Sequence, residues 1–270
     1  MSKPVQKQGQ PREVLRAFFR LVALSSVITV GLGSALLAQP PIHINFNGDE
    51  VGKTPVGWIS RNGNPEEVYT VRVEGTRRFL HADARRTGVQ LGREKKWSLK
   101  ELPVMEWIWR PVLFPLSSDE RKKASDDSVL AVYVLFGRPP FVSAIKYVWS
   151  DTLPVGTCFD SPFHGKTKMV ILENGRSSLG KWTAERRDVL ADYQKFFGNG
   201  EAPEATGIAL LTDSDNTNSH SIGDYGDITI MAADPGSSPQ KFSVNSFNVP
   251  DPSSRHKGRA RLLRTSRFWT

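Results

Sequence analysis

The stretch VMEWIWRPV, residues 104 to 112, decides the fold class of this chain. Successive side chains of a β-strand point to opposite sides, so Met105, Trp107 and Trp109 share one face of such a strand. The other face carries a glutamate, an isoleucine and an arginine. Because a strand with one strongly apolar face has to be covered by a second layer, the stretch predicts a two-layer β protein.

Other stretches repeat this short, β-branched and aromatic character, and clusters of Gly, Pro, Asn and Asp separate them. VLAVYVLF is apolar on both faces, which is typical of a central strand between layers. Eight or more strands without an alternating strand–helix pattern predict a mainly β fold, a two-sheet antiparallel β-sandwich of jelly-roll type. The predicted strands cover residues 68–73, 78–83, 104–112, 129–136, 143–149, 167–172, 206–211 and 227–232.

One segment, TAERRDVLADYQKFFG at residues 183 to 198, predicts an amphipathic helix. Thr183 is of the type that caps a helix N-terminus, and Gly198 is of the type that follows a helix end. Val189 and Tyr193 fall on one apolar stripe at helical spacing. The predicted sandwich therefore has a single helix.

The formal charge of +8 is concentrated at the two ends of the chain. Residues 1 to 38 contain five Lys and Arg and one Glu, and residues 251 to 270 contain six Lys and Arg and one Asp. Residues 39 to 250 therefore carry one net negative charge. This near-neutral middle predicts neither a basic groove across the fold nor a nucleic-acid partner.

The N-terminus has the pattern of a targeting segment. Its five basic residues precede an uncharged apolar run at residues 21 to 38. The pattern predicts export to the periplasm, either with a cleaved signal peptide or with an N-terminal anchor in the inner membrane. Because the lone Cys158 cannot form an intramolecular disulfide, an exported chain of this kind is typical of a bacterial envelope.

Composition predicts three parts: a signal peptide or anchor at residues 1–38, a β-sandwich domain at 40–235 and a disordered basic tail at 236–270. The last part of the tail, residues 251 to 270, carries six Lys and Arg residues together with Phe268 and Trp269. Clustered cations are attracted to anionic lipid, so one prediction is contact with an anionic membrane surface. A solvated tail is the alternative.

Six blocks of the sequence stand out in order along the chain: FNGDEVGKTPVGW (46–58), WIWRP (107–111), DDSVLAVYVLF (126–136), IKYVWSDTLPVGT (145–157), LGKWTAERRDVLADYQKFFG (179–198) and LLTDSDNTNSHSIGDYGDITI (210–230). Taken together, they resemble a bacterial family of domains of unknown function, number 3047 in that series. The resemblance spans about residues 44 to 233. It implies an exported domain with a sandwich like that of carbohydrate-binding modules, and it brings no established activity or catalytic residues.

The last of these blocks is a polar loop between two predicted strands. Asp213, Asp215 and Asp224 fall at positions 1, 3 and 12 of a calcium-loop template. Position 6 is Asn218 where the template has glycine, and strands flank the loop, so an EF-hand is excluded. Two predictions stay open: a structural calcium on the three aspartates, and a turn whose Asp and Asn side chains cap its own backbone.

The predicted helix places three acids, Glu185, Asp188 and Asp192, on one stripe. Glycoside hydrolysis uses two carboxyl groups on either side of the scissile bond. These acids, with those of the polar loop, are therefore candidates for a glycan-processing site.

Arg186 falls on the apolar stripe of the same predicted helix. A buried guanidinium needs a carboxylate partner, and Asp213 or Asp227 is the expected one. The alternative is an arginine that binds an anionic ligand.

Exposed aromatic side chains grip a sugar ring by its apolar face. Trp149 and Trp182 lie beside loop-like stretches, and Tyr225 lies in the polar loop block together with Asp227. These four complete the predicted ligand-binding residues. Packing in the core is the alternative for each aromatic residue.

No GxSxG, P-loop, HExxH or CxxC motif occurs in the sequence, so serine-hydrolase, nucleotide-phosphate and zinc-protease functions lack support. The leading prediction is a non-catalytic exported domain that binds a carbohydrate or another polar polymer. A glycan-processing hydrolase and a structural or assembly protein of the cell envelope are the alternatives.

Overall fold

Two β-sheets enclose the main core, and the computed structural model describes residues 39–138, 141–198 and 200–234. The six-stranded sheet contains β1 (Ile42–Ile44), β3 (Tyr69–Glu74), β4 (Arg77–Arg85), β6 (Val104–Leu113), β11 (Thr183–Asp188) and β13 (His220–Met231). The seven-stranded sheet contains β2 (Ile59–Ser60), β5 (Leu91–Trp97), β7 (Leu130–Phe136), β8 (Ser143–Ser150), β9 (Cys158–Asp160), β10 (Thr167–Asn174) and β12 (Ala205–Leu211). The helix α1 (Val189–Phe197) follows β11, and short 3-10 helices cover Pro65–Glu67 and Lys123–Ser125.

The order of strands brings distant parts of the chain side by side. The six-stranded sheet runs β11-β6-β13-β4-β3. On the same edge of β13, β4 pairs with residues 220–225 and β1 pairs with residues 228–230. The seven-stranded sheet runs β2-β5-β12-β7-β8-β10-β9. Among the described strands only β8 and β10 pair in parallel. The predicted mainly β, two-sheet sandwich of jelly-roll type with one helix is confirmed, and the parallel pair makes the second sheet mixed.

The strand β6 carries the apolar face that the sequence predicts. Met105, Trp107 and Trp109 are all at most 2% exposed. The two tryptophan rings meet edge to face at 5.5 Å, and Trp109 packs 5.8 Å from Trp149 of the opposite sheet. Buried aromatic pairs of this kind join the two layers.

The predicted helix at residues 183–198 is wrong in its first part. Thr183–Asp188 form β11, which pairs antiparallel with β6. The helix begins after Asp188, whose carboxylate accepts a hydrogen bond from the Ala191 N–H at 2.9 Å. An edge of a sheet offers unpaired backbone groups, and pairing with that edge overrides the local helix propensity.

The predicted targeting segment at 1–38 and the predicted basic tail at 236–270 lie outside the described residues. Within the part of the chain that the structure describes, no helix is both long enough and apolar enough to cross a membrane.

Candidate ligand-binding cleft

A cleft of about 930 Å³ opens on the outward face of the seven-stranded sheet. Alternate side chains of β7 and β8 point away from the main core, and those of Tyr133, Leu135 and Lys146 line the cleft. Residues from the 161–167 and 211–216 segments also line the cleft, together with residues near 61, 88 and 126. The cleft therefore combines sheet side chains with several loops.

Lys146 is a buried cation on the floor of the cleft. Its side chain is 4% exposed, and its Nζ lies 3.7 Å from Asp126 Oδ1 and 5.6 Å from the centre of the Tyr133 ring. Burial alone would lower the pKa of this ammonium, but Asp126, Tyr133, Asp213 and Glu120 together raise it. Lys146 therefore keeps its charge.

The carboxyl groups around Lys146 are also buried. Burial raises the pKa of Asp126 and raises that of Asp213 well above its usual range, although Lys146 opposes both shifts. Burial likewise raises the pKa of Glu120 to about 7. Glu120 Oε2 accepts a hydrogen bond from Ser150 Oγ at 2.8 Å, while its Oε1 has no hydrogen-bond partner among the described residues. Several buried carboxyl groups thus surround one cation.

The polar loop between β12 and β13 is held from outside the loop. The Asp127 carboxylate accepts hydrogen bonds from the backbone N–H groups of Asn216 at 3.1 Å and Thr217 at 2.7 Å. Asn218 adopts a left-handed φ of 51°, which asparagine tolerates. The loop is therefore a capped turn, but Asp127, not an aspartate of the loop, supplies the cap.

Three carboxylates converge beside this turn. Asp127, Asp213 and Asp215 each bring one oxygen within 4.8 Å of the others, and the first two are buried. Calcium is held by oxygen ligands, and two of the three predicted ligands are in this group. The predicted calcium therefore stays a prediction, with Asp127 in the place that the sequence assigned to Asp224.

The assignment of Asp224 to a calcium site is wrong. Its side chain lies on the outward face of the six-stranded sheet, where it contacts His81 and Arg110, each at 2.7 Å. These residues are its neighbours on the adjacent strands. Both carboxylate oxygens of Asp224 are thus bonded to side chains of the six-stranded sheet, away from Asp213 and Asp215.

The ligand-binding roles predicted for Trp149 and Tyr225 are also wrong. Both residues are 1% exposed. The Trp149 ring N–H donates to the Gly175 carbonyl at 3.1 Å, and the Tyr225 hydroxyl donates to the Leu211 carbonyl at 2.7 Å. Both side chains lie on the inner faces of their strands, so they belong to the core.

Trp182 is partly exposed but lies outside the cleft. Its ring is 4.6 Å from the Arg110 guanidinium, 5.1 Å from that of Arg77 and 5.4 Å from the Phe79 ring. It therefore covers charged side chains on the outward face of the six-stranded sheet.

The three acids of the predicted helix do not line the cleft. Glu185 is buried in β11, and Asp188 caps α1. Asp192 is buried and accepts hydrogen bonds from Arg187 at 2.6 Å and from the Tyr147 hydroxyl at 2.8 Å. The predicted acid stripe does not form, because Glu185 and Asp188 lie in the strand β11 and only Asp192 lies in the helix.

Arg186 has partners other than the predicted ones. It pairs with Glu106, its neighbour across the β11–β6 pair, and with Asp234 at 2.9 Å. Asp227 is exposed where the pairing of β13 with β6 is irregular, and it does not line the cleft. Neither Asp213 nor Asp227 is the ion-pair partner of Arg186.

Sequence reasoning missed the centre of the cleft. Lys146 is the one charged residue in the apolar strand SAIKYVWS, and this isolated charge is a signal that could have identified it. Asp126 and Asp127 lie a few residues before the start of β7 at Leu130. Nothing in the spacing links these residues to the 213–215 segment, because 85 residues separate Ser128 from Asp213, whose carboxylate accepts the Ser128 N–H.

Comparisons with known proteins give a family and a fold. Residues 57–229 match the family DUF3047, described as a protein of unknown function. No curated protein matches the sequence. The fold is similar to those of carbohydrate-binding modules and glycoside hydrolases.

Three solved structures illustrate this fold similarity. A family 11 carbohydrate-binding module of the cellulosomal cellulase Lic26A-Cel5E of Clostridium thermocellum is 10% identical, with a TM-score of 0.38 over 73% of this chain and 96% of that chain. The xyloglucanase domain of NopAA from Sinorhizobium fredii is 10% identical, with a TM-score of 0.37 over 73% and 99%. Endoglucanase 3 of Trichoderma harzianum, from family GH12, is 10% identical, with a TM-score of 0.33 over 72% and 94%. Similarities this weak carry no information on ligand or activity.

Proposed function

The chain belongs to the DUF3047 family of proteins of unknown function, and we propose that it is a non-catalytic domain that binds a carbohydrate or another polar polymer in the cleft of the seven-stranded sheet. The observation that supports this proposal is the composition of the cleft. Its floor holds the buried charges around Lys146, and its lining includes Phe163, whose side chain is 49% exposed.

This combination suits a sugar. The apolar face of a sugar ring packs on an exposed aromatic ring, and its hydroxyl groups exchange hydrogen bonds with carboxylates, amides and amines. Asp215 is exposed in the cleft, and Gln90 and His164 also line it. These side chains offer both donors and acceptors to a polyhydroxylated ligand.

A glycoside hydrolase is the second candidate, and one observation favours it. Asp127, Asp213 and Asp215 each bring one carboxylate oxygen within 4.8 Å of the others, and glycoside hydrolysis uses a pair of neighbouring carboxyl groups. However, Asp127 holds the loop amides and Asp213 is 5% exposed. Only Asp215 of the three is open to a ligand, which is why binding is the leading proposal.

The experiment compares Phe163→Ala with Trp182→Ala in glycan-array screening followed by calorimetry. We expect Phe163→Ala to weaken glycan binding about tenfold and to change the free energy of unfolding by less than about 0.5 kcal/mol, because the ring is half exposed. Trp182→Ala is the aromatic control on the other sheet. Loss of binding in Trp182→Ala alone would move the site to the six-stranded sheet.

Two further measurements complete this test. Release of reducing ends from a bound polysaccharide, lost in Asp215→Asn, would replace the binding proposal with the hydrolase. Repeating the titration with a chelator tests the predicted calcium.

Export remains part of the proposal and is supported by the basic and then apolar pattern of residues 3 to 38. N-terminal sequencing of the protein recovered from a periplasmic fraction tests it, and recovery only from the cytoplasm would contradict it.

A further inference from the structure

We propose that the cleft continues into a basic groove that selects glycans carrying anionic groups, an inference that rests on the proposed function. A second depression of about 450 Å³ adjoins the cleft on the same outward face. Arg61, Leu135 and Val142 line both. A polymer that occupies the cleft can therefore extend across Leu135 into this groove.

Two glycines form part of the lining of the groove. Gly92 and Gly207 lie on the neighbouring strands β5 and β12. A side chain at Gly207 would collide with the Arg93 carbonyl, 2.6 Å from its Cβ position. The close approach of β5 to β12 on this face therefore requires glycine at position 207.

Arg138 places a further cation at the rim of the groove. It follows Gly137, which has a φ of 76°, and the Phe141 N–H donates to the Arg138 carbonyl at 2.7 Å. A left-handed φ of this kind favours glycine, so the path of the chain out of β7 depends on Gly137. The Arg138 side chain is exposed beside the groove.

The groove carries an excess of positive charge. Glu94 is its only acid among the described lining residues. Three of its cations form no ion pair with any described residue; they are Arg61, Lys96 and Arg138. The guanidinium of the fourth, Arg93, lies 5.9 Å from the centre of the Trp58 ring. Clustered like charges raise the local concentration of anions. A near-neutral sum over the domain is thus compatible with a local excess of positive charge in this groove.

The acids of the adjoining cleft favour a glycan over a nucleic acid. Asp126, Asp213 and Asp215 line the cleft that the groove continues. A nucleic acid carries a phosphate at every nucleotide, so a strand that spans both depressions would bring phosphates against these acids. A glycan can place neutral hydroxyl groups there and its anionic groups in the groove, where guanidinium groups bind oxyanions with two parallel hydrogen bonds.

The test uses homogalacturonan with free carboxylates and the same polymer fully methyl-esterified, so that the sugar backbone is the same and only the carboxylates are replaced by neutral esters. Calorimetry on the full chain is expected to give at least about tenfold tighter binding of the free acid, since each cation near an anionic surface contributes about fivefold. The preference should shrink as salt rises. The double variant Lys96→Gln/Arg138→Gln should remove the preference.

Two controls keep this result specific. Lys95 is the neighbour of Lys96 on the same strand, and it is exposed but does not line the groove. The Lys95→Gln variant should therefore keep the preference for the free acid. Arg138→Lys keeps the charge and should keep most of the preference. Thermal melts of all variants check that they remain folded.

Each outcome decides between the two proposals. Equal affinities for both polymers, or a preference that the double variant retains, would overturn the basic groove and leave the binding function standing. Binding of neither polymer would count against both proposals. Single-stranded DNA bound as tightly as the free acid would show a general attraction for polyanions and overturn the selectivity for glycans.

Discussion

The outward faces of the two sheets both hold buried charges, but they satisfy them differently. On the six-stranded sheet Asp224 bonds to His81 and Arg110 on the two neighbouring strands, each at 2.7 Å. Arg110 then donates to Glu74 at 2.9 Å. Every carboxylate oxygen of Asp224 has a close partner, so this network ties four strands together.

On the seven-stranded sheet the charges are less completely bonded. Glu120 and Asp126 each have one oxygen without a hydrogen-bond partner among the described residues, and Lys146 approaches Asp126 only to 3.7 Å. A buried polar group without a hydrogen bond destabilises the fold unless something else satisfies it. The comparison teaches that a saturated network serves the fold, whereas Asp126 and Lys146, which are less completely bonded, line an open cleft where a ligand can reach them.

The largest expected effect comes from Lys146→Met, which leaves the buried acids without their cation. We expect a loss of about 3–5 kcal/mol in the free energy of unfolding at pH 7, as for other buried pairs that lose one partner. Urea unfolding measures it. Lys168→Met removes a more exposed pair, between Lys168 of β10 and Asp160 of β9, and should lose less than about 1 kcal/mol. Equal losses in the two variants would mean that Lys146 does not balance the acids.

The next effect is a gain from Glu120→Gln, and it depends on pH. The folded state raises the pKa of Glu120 from 4.5 to about 7, so the folded protein binds a proton that the unfolded chain releases. The ionised carboxyl therefore costs nothing below pH 4.5 and about 3 kcal/mol above pH 7. Glutamine removes this cost, so the variant should exceed the parent by about 2–3 kcal/mol at pH 8 and match it near pH 4.5.

Urea unfolding from pH 4.5 to pH 8 measures this difference. Glu201→Gln, at an exposed pair with Lys100, is the control and should show no gain at pH 8. A parent and a Glu120→Gln variant with parallel pH profiles would contradict the raised pKa.

The smallest effect concerns the saturated face. Asp224→Asn removes the charge between His81 and Arg110 and should lower the free energy of unfolding by about 2 kcal/mol, because hydrogen bonds to charged groups are the stronger ones. Asp83→Asn, at a more exposed pair with His220, should lose less than about 1 kcal/mol. Equal losses in the two variants would mean that the buried, doubly bonded carboxylate of Asp224 contributes no more to stability than an exposed pair on the same sheet.

The strands were predictable because alternation is a local signal. The prediction of 104–112 differs from β6 by one residue, and that of 143–149 differs from β8 by one residue. Thr183–Asp188 could not be identified as a strand, since its pairing with β6 depends on which sheet edge is free. The prediction of 227–232 misses the first part of β13, which begins at His220, because this polar start resembles a loop.

The cleft was less predictable, because burial depends on which face of a strand points inward. Trp149 resembles a loop residue in sequence but packs in the core, whereas Lys146, three positions earlier, points outward. Asp213 and Asp215 were identifiable as a polar pair. Their neighbour Asp127 reaches them only through the fold, which no local spacing encodes.

The position of β13 determines when the six-stranded sheet can form during synthesis. This last strand lies between β4 and β6 and also carries β1, so those three strands have no partner there until residues 220–231 leave the ribosome. Until then, the nascent chain exposes strand edges that other chains can pair with. A chain that stops before His220 therefore lacks the strand that joins its sheet, and it should aggregate instead of forming a smaller sandwich.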